Sequence, residues 1–320
     1  MQTMISRFDL TKNIVYIAFF VAVIFFAITL GDRFISMTNI LNITRQTAMI
    51  SIMAVTMTFV ISTGQIDLSI GSVAALASLI VALMLRSTES IVLSVFVGLA
   101  FGMACGALNG VLITGLGVPS FLVTLGMMGI IKGFAMWITA TTAIPIMNET
   151  YNTIFGLGTV FGIPILFLWT VVALVIGLFV MNYTTFGKKA LAVGGNEVAA
   201  RYSGVNVTSI KIIAMTMSGF TAAFAGILYS GRMAAGRFTF GEGDELTVIA
   251  AVILGGTGLF GGTANVFGAV VGSLLIGVIN NGLIIGGLTV SQQMIVRGII
   301  VILATALGTR GRFFRKKPAS

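Results

Sequence analysis

Long apolar runs follow one another along this chain and limit its fold more than any single motif does. Each run is close to the roughly 20 residues that cross a bilayer as a helix. The runs are residues 14–30, 40–63, 66–85, 91–114, 119–140, 160–181, 211–230, 246–262, 265–287 and 292–308. Hydrophobic residues make up 57% of the sequence and charged residues only 8%, which a water-soluble domain does not have. We therefore predict an all-α polytopic membrane protein of about ten transmembrane helices, although glycine-rich joins at 64–66 and 262–265 leave the count open by one or two.

The charges give these spans an orientation. Ten spans with the N-terminus inside place eleven basic and two acidic residues on one side, and four basic and six acidic residues on the other. Because basic residues concentrate on the cytoplasmic side, both termini are expected in the cytoplasm. Membrane lipid, rather than nucleic acid, accounts for the net charge of +9, since five basic residues directly follow the last apolar run. These five are Arg310, Arg312, Arg315, Lys316 and Lys317.

An internal repeat divides the chain into two halves. Asn109–Val118 reads NGVLITGLGV and Asn281–Val290 reads NGLIIGGLTV, identical at six of ten positions. Two weaker echoes keep the same order: the segment from Gly64 matches the one from Gly241, and Lys132-Gly133 matches Arg297-Gly298. The offset is five spans, an odd number, so the copies should have opposite orientations, as in the inverted repeats of transporters. We predict one permease-like domain over residues 1–320, with halves at about 14–181 and 211–308 joined by a loop at 186–210.

Polar side chains inside apolar spans are candidates for a translocation path, because a charged group at membrane depth usually faces the bundle interior or an aqueous cavity. The candidates are Asp67, Asn109, Lys132, Asn280, Asn281 and Arg297. Each also has a structural explanation. Asp67 could cap the helix that begins LSIGSVAAL, Lys132 and Arg297 could snorkel or bridge helices, and the asparagines could bond between helices. Glycines spaced as GxxxG, such as Gly102-Gly106-Gly110 and Gly129-Gly133, are expected to let helices pack closely.

Several kinds of chemistry lack their usual residues. The chain has one cysteine, Cys105, and no histidine. An intrachain disulfide is therefore excluded, and metal sites or histidine-based acid and base catalysis lose their normal ligands. We predict that the chain is not an enzyme, holds no metal and carries no cofactor of its own.

The longest polar interruption, Phe186–Lys211, separates the two halves. It contains Lys188, Lys189, Arg201 and Lys211 against one acid, Glu197, so it should face the cytoplasm. Asn196 and Glu197 can open a short helix that runs through Arg201, and Gly204 can end it. The sequence thus predicts a compact helix displayed on a loop beside the membrane.

This loop resembles that of a known family. GGNEVAARYSGV is similar to the cytoplasmic coupling loop in membrane subunits of bacterial ATP-binding-cassette sugar importers of the ribose-permease type. GQIDLSIGSVAALASL resembles the family's GGIDLSVGS signature, with Gln65 where glycine is usual. The segment from Val118 resembles its PAFIVTLGMM motif with Ser120 in place of the small residue, and the segment from Ile249 resembles its IAAVVLGGTSLAGG stretch. Together the matches cover roughly residues 40–308 in the family's order.

The resemblance implies a transport role in the bacterial inner membrane. The chain would form the path for a monosaccharide, ribose or a similar sugar, delivered by a periplasmic binding protein. A cytoplasmic ATPase subunit would bind ATP and magnesium, since this chain has no GxxxxGK[ST] loop. The permease would pair with a second copy or a related chain. The ATPase-coupling residues implied are Gly194, Gly195, Asn196, Glu197, Ala200, Arg201 and Gly204, with the two adjacent glycines forming the sharp turn into the short helix.

Two further expectations remain open at this point. Contacts to the binding protein are expected at Arg232, Arg237, Glu242, Asp244 and Glu245, although a solvated loop explains these charges equally well. An ion-coupled secondary transporter would also carry an inverted repeat, but it needs intramembrane acids for coupling and only Asp67 is available. The sequence does not fix which sugar is carried or whether the permease dimer has identical chains.

Overall fold

The computed structural model describes the backbone of residues 10–313, without the side chains of residues 10–14, 297, 303–305 and 307–313. Helices dominate this range. They are α1 (Leu10–Leu30), α2 (Asp32–Ile35), α3 (Met37–Ser62), α4 (Ile70–Thr88), α5 (Ile91–Leu116), α6 (Ser120–Thr139), α7 (Glu149–Asn152), α8 (Ile165–Tyr183), α9 (Thr185–Gly195), α10 (Glu197–Tyr202), α11 (Val207–Met233), α12 (Asp244–Leu254), α13 (Val266–Ile285) and α14 (Val290–Phe313). A π-helical turn follows α7 at Thr153–Leu157.

Four two-residue strands complete the described chain. β1 (Ile144–Pro145) pairs antiparallel with β4 (Ala235–Gly236), and β2 (Thr159–Val160) pairs antiparallel with β3 (Ile163–Pro164). The first pair ties the connection after α6 to the connection after α11. The prediction of an all-α polytopic membrane protein is confirmed, because these strands are too short to alter the class.

Seven described helices are long and apolar enough to cross a membrane: α3, α4, α5, α6, α8, α11 and α13. Two shorter apolar stretches, Val15–Leu30 in α1 and Val290–Ile302 in α14, raise the number of candidates to nine.

The predicted span at 246–262 is wrong. Helix α12 ends at Leu254, and Gly256 follows with φ +92°, which stops the helix despite the apolar sequence beyond it. Its 11 residues reach only about 16 Å, roughly half of a bilayer core.

The centre of the bundle is formed by α3, α4 and α11. Helix α5 packs along α11, α13 packs along α3, and α12 packs on α13 and α14. The backbones of α5 and α11 come close because Gly102 and Gly106 face Gly219 and Met215, leaving no room for a side chain. In contrast, α5, α6 and α8 leave most of their surfaces exposed, as expected for helices at the lipid boundary.

Two non-helical segments meet inside the bundle. Residues 63–69 lie between α3 and α4, and residues 234–243 lie between α11 and α12. The starts of α4 and α12 meet where Gly71 approaches Gly241, and a Cβ on Gly241 would lie 2.7 Å from the carbonyl oxygen of Gly71. Any side chain at either position would collide with the other backbone. The N-termini of two helices therefore face each other inside the bundle.

The GxxxG glycines have different environments. Gly102, Gly106 and Gly110 pack on α11, and Gly268 and Gly272 pack on α12, as the spacing predicts. At Gly129 and Gly133 on α6, however, a Cβ would meet no described atom within 4 Å. Close packing within the described chain explains the first two sets but not the pair on α6.

Candidate coupling helix and polar clusters

The loop between α8 and α11 consists of two capped helices. The Thr184 side chain accepts from the backbone N–H of Gly187 and starts α9, and Asn196 Oδ1 accepts from the N–H of Ala199 at 3.0 Å and starts α10. Helix α10 ends where Gly204 takes φ +81° and the Val205 N–H returns to the Ala200 carbonyl. The predicted start at Asn196 and Glu197 and the predicted end at Gly204 are both confirmed.

The sharp turn predicted at Gly194 and Gly195 is wrong. They do not form the turn into α10, because both lie in the last turn of α9 and the extended residue is Asn196, with φ −158°. Gly194 instead permits a close contact. A Cβ there would overlap the carbonyl oxygen of Ser62 and lie 2.7 Å from the amide nitrogen of Gly262. The Gly262 N–H also donates to the Ser62 carbonyl at 3.0 Å, so the end of α9 rests on the joined ends of α3 and the segment after α12.

Glu197 connects α10 to a membrane helix. Its carboxylate accepts from Lys211 Nζ at 2.7 Å and from Arg201 Nη2 at 3.2 Å. Lys211 lies near the start of α11 and its side chain is only 13% exposed. The hydrogen bond and charge of Lys211, with a smaller effect of Arg201, hold the pKa of Glu197 below its usual value. This ion pair links the displayed helix to α11.

The two faces of α10 differ in character. Ala200 is buried against Ala190, Val193, Val207 and Ile210, which anchors α10 on α9 and α11. Val198 and Tyr202 point the other way and are 63% and 90% exposed. Exposed apolar side chains one helical turn apart form a surface suited to a protein partner. Sequence reasoning missed these two residues, although their i, i+4 spacing opposite Ala200 was a visible signal.

Asp67 and Asn109 are brought together in one buried cluster. Asp67 Oδ1 accepts from the N–H of Ser69 at 2.9 Å and from Ser69 Oγ at 2.6 Å, and Ser218 Oγ donates to Oδ2 at 2.7 Å. Asn109 Nδ2 donates to Ser69 Oγ at 2.9 Å. Asp67 does not cap α4 by bonding to its first turn. Together with its neighbours it fixes the shape of the non-helical segment before α4.

The same segment is held from a second side by α6. The N–H of Ile66 donates to Ser120 Oγ at 3.0 Å, and the N–H of Leu68 donates to Thr124 Oγ1 at 3.1 Å. These hydroxyls replace partners that a helix would have supplied. Side chains from α5, α6 and α11 thus satisfy the polar groups of residues 66–69.

The path candidates Asn280 and Asn281, in the second half of the chain, do not belong to the Asp67 cluster. Asn281 exchanges two hydrogen bonds with Asn39, of 3.0 and 2.9 Å, and so bridges α13 and α3. Asn280 has a buried Oδ1 without a hydrogen-bond partner in the described structure. The side chain of Arg297 lies outside the described residues. Asn109 and Asn281, which match in sequence, therefore make different contacts.

Lys132 forms an ion pair with Glu242, one of the residues expected to contact the binding protein. Its Nζ lies 2.7 Å from Glu242 Oε1, and the two side chains are 39% and 59% exposed. This contact links α6 to the segment before α12. The five path candidates with described side chains consequently do not converge on one pocket.

The five expected binding-protein contacts divide by exposure. Arg237 and Glu242 are exposed, whereas Arg232 and Glu245 are partly buried. Asp244 is buried, and Tyr229 Oη donates to its Oδ2 at 2.5 Å, so the expectation that it meets a partner at the surface is wrong. The reason is that residues 234–243 fold into the bundle instead of remaining outside it.

An apolar cavity of about 510 Å³ lies between α3, α5, α8 and α11. Thr56 and Thr221 are hydrogen-bonded on its wall, and the other lining residues are mainly apolar. None of the five path candidates with described side chains lines it. Its lining is unsuited to a polyhydroxylated solute, which needs hydrogen-bonding groups.

Comparison with known proteins identifies relatives along almost the whole chain. The model of a family described as a branched-chain amino acid transport system permease component matches residues 39–305. The ribose import permease protein RbsC of Bacillus subtilis is 39% identical over 293 residues, 91% of each chain. RbsC of Escherichia coli K12 is 37% identical, covering 88% of this chain and 89% of the relative. The L-arabinose ABC transporter permease protein AraH of Azospirillum brasilense is 35% identical, covering 87% and 81%.

No solved structure matches this sequence. The family model nevertheless covers most of the chain, and the curated relatives align over nearly their full lengths. Members of the family are non-catalytic membrane subunits of ABC transporters. The chain therefore belongs to this family of ABC importer permeases, as a multi-pass protein of the bacterial inner membrane.

Proposed function

We propose that this chain forms the membrane path of an ABC importer for a monosaccharide of the ribose or arabinose class. Its relatives in Bacillus subtilis, Escherichia coli and Azospirillum brasilense bear the names of ribose and arabinose permeases. A periplasmic binding protein delivers the sugar, and a separate cytoplasmic ATPase binds ATP and magnesium. The observation that carries the proposal is the arrangement of helix α10. Its outer face exposes Val198 and Tyr202, and on its inner side Glu197 forms an ion pair with Lys211 of α11.

The outward face of α10 serves as the ATPase contact. Val198 and Tyr202 offer two exposed side chains on a short helix, the shape expected of a knob that inserts into a cleft. Lys188 and Lys189 are exposed on α9 nearby, which agrees with a cytoplasmic position for the loop. Docking here leaves Glu197 free to keep its contact with Lys211.

Motion of the ATPase has two routes into the membrane bundle. The Glu197–Lys211 pair pulls on α11, which packs on α5, α4 and α3. The contact of Gly194 with Ser62 and Gly262 reaches the end of α3 and the segment after α12. Since α12 begins against Gly241 and Gly71, a shift at its far end reaches the interior of the bundle. Rigid helices and close contacts transmit such a displacement.

We infer that the two halves form an inverted repeat with both termini in the cytoplasm, and helix packing supports the repeat. In the first half α4 packs on α5 and α6, and in the second half α12 packs on α13 and α14. Contacts between halves correspond as well, with α5 on α11 and α13 on α3. A non-helical segment also precedes a corresponding helix in each half, residues 63–69 before α4 and residues 234–243 before α12. Paired breaks of this kind mark the centre of transporter folds.

The open face of α6 suits the translocation path and the second permease. Gly126, Gly129 and Gly133 lie on one stripe, where an added Cβ would meet no described atom within 4 Å. Lys132 of the same helix forms a partly exposed ion pair with Glu242, which lies in the segment before α12. Charged side chains on a membrane helix avoid lipid and turn toward protein or water. We place the second copy, with an aqueous path between the two chains, against this face.

The proposal is tested with Tyr202→Ala in a strain that expresses the whole importer. The truncation should lower the amount of ATPase that co-purifies with the permease, with an affinity loss on the order of 30-fold because an exposed aromatic anchor is removed. Tyr183→Ala is the matched control, since Tyr183 is also highly exposed and lies on the same side of the bundle, at the end of α8.

Equal recovery of the ATPase with Tyr202→Ala and Tyr183→Ala would contradict the docking role of α10. Flux of sugar in liposomes containing this chain alone, without ATP, would contradict the importer itself. Uptake assays with several pentoses, each with its loaded binding protein, identify the sugar in the same system.

A further inference from the structure

The carboxylate of Asp67 lies in an unusual setting for a charged group. The residue is 1% exposed and belongs to the non-helical segment between two membrane helices. Three donors point at it, namely the Ser69 N–H, the Ser69 hydroxyl and the Ser218 hydroxyl. The Ser69 N–H can only donate, so Oδ1 acts as an acceptor, and the two hydroxyls can also donate to a carboxylate.

No described basic side chain forms an ion pair with Asp67. The ion pairs of the described residues connect Lys132 to Glu242, and Arg201 and Lys211 to Glu197. An isolated anion inside a membrane bundle is costly unless a positive charge lies beside it. The serine donors reduce this cost but supply no net charge.

Asn109 supplies a second, independent observation. Its side chain is fully buried, its Nδ2 is occupied by Ser69, and its Oδ1 has no hydrogen-bond partner among the residues that the structure describes. A buried amide oxygen without a donor costs about 1–3 kcal/mol, so native structures usually fill such a position. The cluster thus contains a carboxylate and an unpaired amide oxygen joined through one hydroxyl, and both groups attract a cation.

We propose that this cluster binds one monovalent metal cation of the sodium type. Asp67 provides the charge, and Asn109 Oδ1 provides a neutral oxygen ligand. Oxygen ligands of this kind suit hard cations, and unwound backbone at membrane depth is where transporters hold sodium. With a single carboxylate, a charge of +1 balances the site and a divalent ion does not.

The bound cation stabilises the segment on which both repeats meet. Asp67 belongs to the turn before α4, Asn109 to α5 and Ser218 to α11. A cation shared by these groups joins three helices next to the Gly71–Gly241 contact. This site goes beyond the transport role, because it serves the fold of the permease whichever sugar is carried.

The test is thermal unfolding of the purified permease in detergent, with sodium chloride compared with choline chloride at equal ionic strength. We expect a saturable rise of roughly 3–6 °C at about 100 times the half-effect sodium concentration, since a ligand that binds only the folded state stabilises it. Asp67→Asn and Asn109→Leu should abolish the rise. Equilibrium binding of radioactive sodium to the wild-type protein should give one site per chain.

Asn152→Leu is the control, because Asn152 also has a buried Oδ1 without a described partner but belongs to α7, outside the Asp67 cluster. It should lower the melting temperature and keep the sodium response. Equal melting in sodium and choline, together with no bound sodium, would overturn the proposal even if the Asp67 variant fails to fold. A melting temperature that depends on pH but not on sodium would assign the site to a protonated carboxyl group instead.

Discussion

Glu197 and Lys211 are separated by fourteen positions, yet their side chains meet at 2.7 Å because α10 folds back against the start of α11. The pair joins a helix that contacts the proposed ATPase to a helix at the centre of the bundle. Lys211 is shielded from solvent, so salt screens this interaction less than a fully exposed pair. At the residue scale, the proposed coupling depends on this contact.

Glu197→Gln and Lys211→Met should each uncouple transport from ATP hydrolysis. We expect sugar uptake per ATP hydrolysed to fall on the order of tenfold, because coupling energies between sites are typically about 1–3 kcal/mol. The measurement is simultaneous uptake and phosphate release in proteoliposomes. The exchanged double variant, Glu197→Lys with Lys211→Glu, should recover part of the loss. An unchanged uptake ratio in both single variants would show that the pair has no coupling role.

The same contact makes the loop sensitive to acid. Lys211 holds the pKa of Glu197 below its usual value, so the contribution of the pair to stability is complete above the unfolded pKa. That contribution is lost as the pH falls through the folded pKa. Hydrogen exchange in α10, corrected for the intrinsic pH effect, should therefore increase in acid and change little above neutral pH. Lys211→Met should remove most of the dependence, and only the smaller effect of Arg201 should remain.

Helix α9 ends on two adjacent glycines that have different surroundings. A Cβ at Gly194 would overlap the Ser62 carbonyl, whereas a Cβ at Gly195 would meet only Gly262 Cα at 3.9 Å, an ordinary contact. Neither glycine has a positive φ, so backbone strain does not separate them. Comparing substitutions at the two glycines therefore isolates the effect of the close backbone contact between α9 and the end of α3.

Gly194→Ala should destabilise the packing of α9 on α3 by about 1–3 kcal/mol, and Gly195→Ala by much less, because only the first overpacks a backbone contact. Hydrogen exchange of residues 185–205 in the purified permease measures the difference. Equal protection in the two variants would mean that α9 moves away from Ser62 without cost.

The apolar segment after α12 demonstrates why element lengths differ from hydropathy runs. Residues 246–262 are apolar throughout most of their length, but glycines at 255, 256, 258, 261 and 262 interrupt the helix. A hydropathy run measures composition and does not detect where the backbone turns. The local capping signals at Asn196 and Gly204, which act within a few residues, did predict α10.

At the scale of the whole molecule, the open stripe on α6 predicts an association between permease chains. Gly133→Leu should leave the monomer folded and weaken the dimer roughly tenfold or more, because a bulky side chain blocks close helix approach. Light scattering of the purified protein, with the detergent contribution subtracted, measures the mass.

Gly106→Leu is the comparison within the same protein. A side chain there would collide with Met215 on α11, so this variant should lose folded protein rather than dimer. A fully dimeric Gly133→Leu variant would place the second chain on another face. A folded and stable Gly106→Leu variant would contradict the tight packing of α5 on α11.

The sequence by itself determined the membrane environment, the all-helical class, the family and the bounds of α10, because hydropathy and helix caps act locally. It could not determine depth or exposure. Asp244 was expected at the surface and is buried, and the ion pair of Lys132 with Glu242 was not predicted. Only the tertiary structure decided these points, because burial depends on which segments fold back between helices that are distant in sequence. The same is true of Asp67, Asn109 and Ser218, whose cluster exists only where α4, α5 and α11 meet.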